Sequence, residues 1–233
     1  MKLQYLAVLL LTIFVSVSSC KSDDDGVDLL PQEQQNSIDD QAIVKFLNDH
    51  YFNSVGKVTK FRDDSPNDDE ETPLAELAQM DPSGYWFVKR PGVEANGRAI
   101  TNPANDSILI QYELAAFQGK SLNDSIYYTL PSNISTTINT TGFPIWDPSF
   151  YYKDISNLDN AQKKWYEMEG IQDGLKHFNS KDKAVDALPA VDFQGIIIVP
   201  SRLAFGRDYN TLNLGPDNSM YLNFELYKVI DRD

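Results

Sequence analysis

The chain has one cysteine, Cys20, and two histidines, His50 and His177, in 233 residues. A lone cysteine excludes a disulfide framework, so stability must come from a buried core. The histidines are far apart and each lies near a predicted helix end. They read as capping or surface residues rather than as a ligand set. No glycine-rich phosphate loop, HExxH motif or Ser-His-Asp ordering occurs, and no cofactor or metal is implied. Positive charge is also scarce. Lysine and arginine number 20 against 34 aspartates and glutamates, a net charge of −14. Nucleic acid needs a basic face, so it is disfavoured as a partner. Adsorption to anionic lipid is disfavoured for the same reason. No internal repeat is visible. With 42% hydrophobic residues, the chain can still bury one large core.

Beyond the first residues, no segment is apolar enough to cross a bilayer as a helix. Met1-Lys2 gives a short positive start, and Leu6 to Val17 is an apolar stretch of signal-peptide length. Val17-Ser18-Ser19-Cys20 follows and resembles a bacterial lipobox, in which the cysteine thiol becomes the lipid attachment point. This predicts a signal peptide over 1–19, an acylated Cys20, and a membrane partner through that anchor. The expected location is the outer membrane, facing either the periplasm or the cell surface. Lys21, not Asp, follows the cysteine, and Lys21-Ser22-Asp23-Asp24-Asp25 is similar to an acidic surface-export signal. A plain solvated tether is the alternative. Residues 20–36 read as that tether, polar and carrying Pro31.

Residues 37–82 read as a helical segment followed by an acidic loop. Ile38, Ala42, Ile43, Phe46 and Leu47 fall on one face of a helix over Ser37–Tyr51. Asp63 to Thr72 is dense in carboxylates but lacks the spacing of a calcium loop, so it reads as solvated. Residues 83–233 read as the main domain. Gly84 to Arg90 predicts a strand ended by Pro91-Gly92. Ser107 to Phe117 predicts a long strand, and Tyr127 to Leu130 a short one. Pro131 to Asn160 has no period and reads as a long loop. Trp165, Met168, Ile171 and Leu175 recur at helical steps, with Gly170 and Gly174 allowing close approach. Phe193 to Val199 and Ser219 to Ile230 predict two more strands. Strands around one short helix predict an α+β domain with an antiparallel sheet.

Five blocks of this domain resemble, in order, the FKBP-type prolyl isomerases. Ile108-Leu109-Ile110-Gln111-Tyr112-Glu113 is similar to Val-x-Val-x-Tyr-x-Gly. Gln118 to Ser125 is similar to Asp-Gly-x-x-Phe-Asp-Ser. Met168 to Leu175 is similar to Val-Ile-x-Gly-Trp-x-x-Gly-Leu. Ile198 to Gly206 is similar to Ile-Pro-x-x-Leu-Ala-Tyr-Gly, and Gly215 to Leu226 to the closing strand. The resemblance implies a half-barrel sheet wrapped around a short helix, preceded here by the N-terminal helical segment. It implies peptidyl-prolyl cis-trans isomerase activity on proline-containing polypeptide clients. It places Tyr112, Leu122, Asn123, Asp124, Met168, Ile171, Phe205 and Phe224 at the substrate pocket. None acts covalently. Met168, Ile171, Leu122 and Phe224 would wall the proline ring. Tyr112 and Phe205 would border the rotating carbonyl, and Asn123 or Asp124 would orient the peptide. Ile171 stands where the family has tryptophan, Leu122 where it has phenylalanine, and Phe205 where it has tyrosine. These departures imply a slower site, or a non-catalytic chaperone or binding module that keeps the fold.

Overall fold

The structure is a computed structural model that describes residues 29–64, 68, 70–138, 140, 142–152, 156, 168–184, 190–207 and 214–232. The expected signal peptide, Cys20 and Trp165 lie outside the described residues. The chain divides into two compact units, Met1–Leu30 and Pro31–Asp233. The fold described here is that of the second.

Its centre is a pair of long antiparallel strands, β5 (Asp106–Leu122) and β10 (Asn218–Asp231). Sheet order is β3 (Ala78–Met80), β4 (Trp86–Lys89), β9 (Gly195–Val199), β10, β5, β6 (Ser125–Tyr128), every pair antiparallel. Two short strands, β7 (Ser132–Thr136) and β8 (Ile145–Trp146), also pair with β5. A separate hairpin joins β1 (His50–Phe52) to β2 (Val58–Lys60).

Side chains alternate between the two faces of a strand, and here both faces are covered. One face presents Ile108, Ile110, Tyr112 and Leu114 from β5, with Leu222, Phe224 and Leu226 from β10. The short helix α3 (Glu169–Leu175; the others are α1, Gln32–Asn48, and α2, Leu74–Leu77) lies on this face. The opposite face presents Phe117, Ile196, Ile198 and Val88 to Ile43, Phe46 and Leu47 of α1. Each of those α1 side chains is fully buried, a stabilisation of about 2 kcal/mol apiece. Strand β9 explains the uninterrupted Ile-Ile-Ile-Val run. Ile196 and Ile198 meet α1, while Ile197 and Val199 meet the α3 face. A strand buried on both sides has no polar alternation to show.

Helix α1 starts at Gln32, earlier than the Ser37 start read from the sequence. Gln32 to Gln35 are sound helix formers behind Pro31, and Gln35 is itself buried, hydrogen-bonded to Asp39 and to the Gly119 carbonyl. The boundary read at 82/83 falls inside one compact unit, because β3 is the edge strand of the main sheet. His50, read as a capping or surface residue, is buried and stacks on Phe46, with Nδ1 2.7 Å from the Phe46 carbonyl. Burial lowers its pKa.

Asp106, at the start of β5, is fully buried. Burial alone would raise its pKa. Hydrogen bonds from the Asn102 and Thr101 amides and the Thr101 hydroxyl, and the nearby Arg98 charge, hold it below the ordinary value of 3.8 instead. A depressed carboxyl stabilises the fold above its unfolded pKa, and that contribution is lost as pH falls through the folded value. Asp106→Asn is therefore expected to cost about 1–3 kcal/mol at neutral pH. The gap between wild type and variant should narrow as urea melts are moved from pH 7 to pH 3. A gap that stays constant would refute this role.

Candidate functional site

Four of the expected site residues converge on the α3 face. Tyr112 of β5 and Phe224 of β10 are directly paired across the ladder. Met168 occupies the N-cap of α3, and Ile171 lies in its first turn. All four belong to one apolar cluster, and Phe205 packs half-buried at its margin. The helix reaches them because it has no side chain where it crosses β9. A Cβ on Gly170 would sit 2.7 Å from Val199 Cγ1, and one on Gly174 2.6 Å from Ile197 Cγ2. Phe205 is delivered by a 3₁₀ turn, Ser201–Leu203, that follows Pro200 at the end of β9.

This cluster is closed. Exposure is 5% for Tyr112, 4% for Met168 and 0% for Ile171 and Phe224. Phe150 meets the Tyr112 ring edge-on, with centroids 4.9 Å apart, and Phe178 does the same to Phe224 at 4.8 Å. The Met168 amide donates to the Phe150 carbonyl at 3.2 Å. The segment carrying Phe150 is bolted in place at Asp147. That carboxylate accepts from the Ile108 amide, the Ser107 hydroxyl and Arg232. The Tyr112 hydroxyl lies 2.9 Å from Ser135 Oγ, and burial pushes the phenol up, so it stays neutral at pH 7. The chemistry on offer is that of an apolar cradle with one phenol and no charge.

The other three expected residues are elsewhere. Leu122 is 62% exposed at the end of β5, and does not wall the cluster. Asn123 and Asp124 have φ of 50° and 61° and form the two-residue turn between β5 and β6. A type I′ hairpin turn has positive φ at both central residues, which Asn and Asp tolerate. The turn carries both side chains away from the α3 face. Tyr128 turns to the opposite face, packing on Phe46 and Phe117 and donating to Asp49 Oδ2 at 2.8 Å. No carboxylate comes to the cluster from this hairpin.

Phe150, Phe178 and Ser135 were invisible as site residues. Phe150 and Ser135 lie in a stretch without period, which gives no signal for either. Cavities of about 390 Å³, beside Lys89, Arg90 and Gln194, and about 460 Å³, beside Val44, Met80 and Trp86, open elsewhere on the surface. Among the described residues, no three His, Cys, Asp or Glu are grouped to hold a metal ion. No described helix is long and apolar enough to cross a membrane.

No protein-family model matches the chain, and no curated protein matches it. Among solved structures, FkpA from Escherichia coli is similar with a TM-score of 0.39 and 16% identity, over 67% of this chain and 53% of that one. The chain thus spans about half the length of FkpA. A peptidyl-prolyl cis-trans isomerase from Pseudomonas syringae pv. tomato is similar with a TM-score of 0.41 and 12% identity, over 88% and 98%. The N-terminal domain of FKBP42 from Arabidopsis thaliana follows at 0.39 and 12%, over 66% and 91%. At such scores these likenesses carry no argument about activity, which has to come from the cluster itself.

Proposed function

We propose that this chain is a lipid-anchored envelope folding helper that takes proline-containing segments at the Tyr112–Ile171–Phe224 cluster and speeds their cis-trans isomerisation slowly. One observation carries the reading: β5, β10 and α3 bring Tyr112, Met168, Ile171 and Phe224 into a single apolar cluster with Phe205 at its rim. Rotation about an Xaa-Pro bond faces a barrier of about 20 kcal/mol, held up by amide resonance. Lowering it needs no nucleophile, metal or general base. It needs an uncharged surface that grips the proline ring and favours the twisted, less polar amide. Met168, Ile171 and Phe224 supply the apolar walls, and Tyr112 supplies a neutral hydroxyl beside them. Isoleucine and methionine offer softer walls than flat aromatic rings, and the cluster has to open before a ring can enter. Both features make the site slow.

The closed packing favours a second reading, a non-catalytic chaperone or binding module. Refolding of two reduced client proteins tests the pair, one limited by a trans-to-cis proline and one without proline. Acceleration confined to the first supports isomerisation. Equal protection of both from aggregation, with no change in the slow phase, supports the chaperone. No effect on either overturns both.

The envelope location rests on the lipobox. Acyl chains on Cys20 give stable anchoring where one chain alone is marginal. Cys20→Ala is therefore expected to move essentially all of the protein from the detergent phase to the aqueous phase in a cloud-point partition of whole cells. Retention in the detergent phase would exclude Cys20 as the anchor. Protease treatment of intact cells then separates a periplasm-facing protein from a surface-exposed one.

A further inference from the structure

The rim loop that carries Phe205 is held from the far side of the sheet. Asp39 of α1 is fully buried, and its Oδ2 accepts a hydrogen bond of 2.5 Å from Ser201 Oγ. Its Oδ1 accepts from Gln35 Nε2 at 2.8 Å, and Gln35 also donates to the Gly119 carbonyl at 3.2 Å. Gly119 is what lets α1 come so near. A Cβ there would lie 3.1 Å from Ala42 Cβ, Asp39 Oδ1 and the Ile38 carbonyl. A second clasp stands beside the first, Arg202 to Asp40 at 2.9 Å.

Ser201 is the hub of the loop. It is fully buried, and its carbonyl accepts from both the Ala204 and Gly206 amides, at 3.0 and 2.8 Å. Those two bonds curl the chain so that Leu203, Ala204 and Phe205 pack on the site cluster. The Gly206 carbonyl in turn accepts from the Asp217 amide at 2.8 Å. A loop this short, fixed at Ser201, has little freedom left at Phe205.

The chemistry of Asp39 argues for a purpose beyond stability. Burial pushes its carboxyl up, and the hydrogen bonds from Ser201 and Gln35 offset only part of that, while Asp217 adds to it. A buried carboxylate is a poor way to stabilise a helix–sheet contact, since an apolar side chain of similar size avoids the desolvation cost. What a carboxylate does better is direct a neighbour. Its charge-assisted hydrogen bonds are shorter and stronger than neutral ones and fix geometry.

We infer that Asp39 is a positioning residue: through Ser201 it sets the Pro200–Gly206 loop and so the place of Phe205 at the rim of the cluster. The inference rests on the proposed proline site for its functional meaning. N-terminal helix α1 is thereby part of the site's machinery without touching a substrate.

The test uses the full chain with Asp39→Asn, Asp39→Ala, Ser201→Ala and the Asp39→Ala/Ser201→Ala double variant. Amide hydrogen exchange is read at Ala204, Phe205 and Gly206 and, for comparison, along β5 and β10. Exchange at the three loop amides should rise about tenfold or more in Asp39→Ala and Ser201→Ala, the loss of one charge-assisted bond. Exchange along β5 and β10 should hold. The double variant should be no worse than Asp39→Ala alone, because Asp39→Ala already removes the Ser201 hydroxyl bond together with the Gln35 bond and that of the Ser201 amide. Asp39→Asn keeps the shape and one acceptor, and should fall between wild type and Asp39→Ala if the larger cut impairs folding. For a proline-containing tetrapeptide, the variants should raise KM about tenfold, the same single bond, with kcat less affected. Unchanged loop exchange, an equal rise throughout the sheet, or strictly additive singles would overturn the inference. If wild type neither binds nor isomerises the tetrapeptide, the proline reading fails on its own, and the exchange contrast still decides whether Asp39 sets the loop.

Discussion

Phe150→Ala is expected to leave the protein less stable and faster on Xaa-Pro bonds. Phe150 is buried, meets Tyr112 edge-on at 4.9 Å, and accepts the Met168 amide at its carbonyl. It therefore covers the two elements, β5 and α3, that build the cluster. Removing the ring should cost about 3–5 kcal/mol from lost burial and the cavity left behind. That cavity is apolar and lined by Tyr112 and its neighbours, which makes it a receptacle for a small ring. A site that is open only a fraction of the time binds with an affinity reduced by that fraction. Taking the cover away removes the reduction, so kcat/KM should rise by about an order of magnitude or more. Loss of stability for gain of function is a common trade at such sites. The backbone need not unlatch, because Asp147 still accepts from Ile108, Ser107 and Arg232. Urea melts and an isomerisation assay on the same preparation check both halves. Destabilisation with an unchanged or lower rate would show that Phe150 is ordinary core and not a cover.

The second large effect is expected at Gly174. Valine there puts a Cβ 2.6 Å from Ile197 Cγ2 and 3.1 Å from Ile197 Cδ1, with two further methyls to place. Ile197 is buried mid-strand in β9, and a β-branched side chain has little rotamer freedom to yield. So the helix must lift. It is a single short helix, and lifting it drags Ile171 away from Phe224 and Tyr112. Overpacking of this kind costs about 1–3 kcal/mol when a core adjusts, and the lost packing of Ile171 adds to it. Gly174→Val should lower the urea midpoint sharply and abolish any isomerase activity, whereas Gly92→Ala, whose added Cβ meets nothing within 4 Å but whose φ of 75° costs an alanine about 1 kcal/mol, should leave the cluster intact. Equal losses from the two changes would mean that the helix–strand approach is not what builds the site.

How much of this was legible beforehand differs from element to element. The apolar face of α1, from Ile38 to Leu47, was plain in the spacing, and all five side chains are buried. What it packs on was not, because a helix face does not name its partner. Strands β5, β9 and β10 declared themselves through branched and aromatic residues. Strands β1, β2, β3 and β8 are two or three residues long, too short to display a period. The site was half legible. Tyr112, Met168, Ile171, Phe205 and Phe224 were placed together by the family-like blocks, and they do share one cluster. Leu122, Asn123 and Asp124 lie apart from it, because the Asn-Asp pair forms a two-residue hairpin turn that the resemblance alone does not reveal. Nothing in the sequence singles out Asp39. Only the approach of α1 to Gly119 and Ser201 buries it.

The account stands on the cluster being a proline site that is closed at rest. Exchange NMR on an Ala-Leu-Pro-Phe peptide, titrated with wild type and with Phe150→Ala at micromolar protein, tests this most directly. Uncatalysed interconversion takes tens of seconds or longer. The predicted result is an exchange rate that rises in proportion to wild-type protein, rises more steeply with Phe150→Ala, and falls back when Phe205→Ala is added. An exchange rate equal to that of buffer for both proteins would contradict the account.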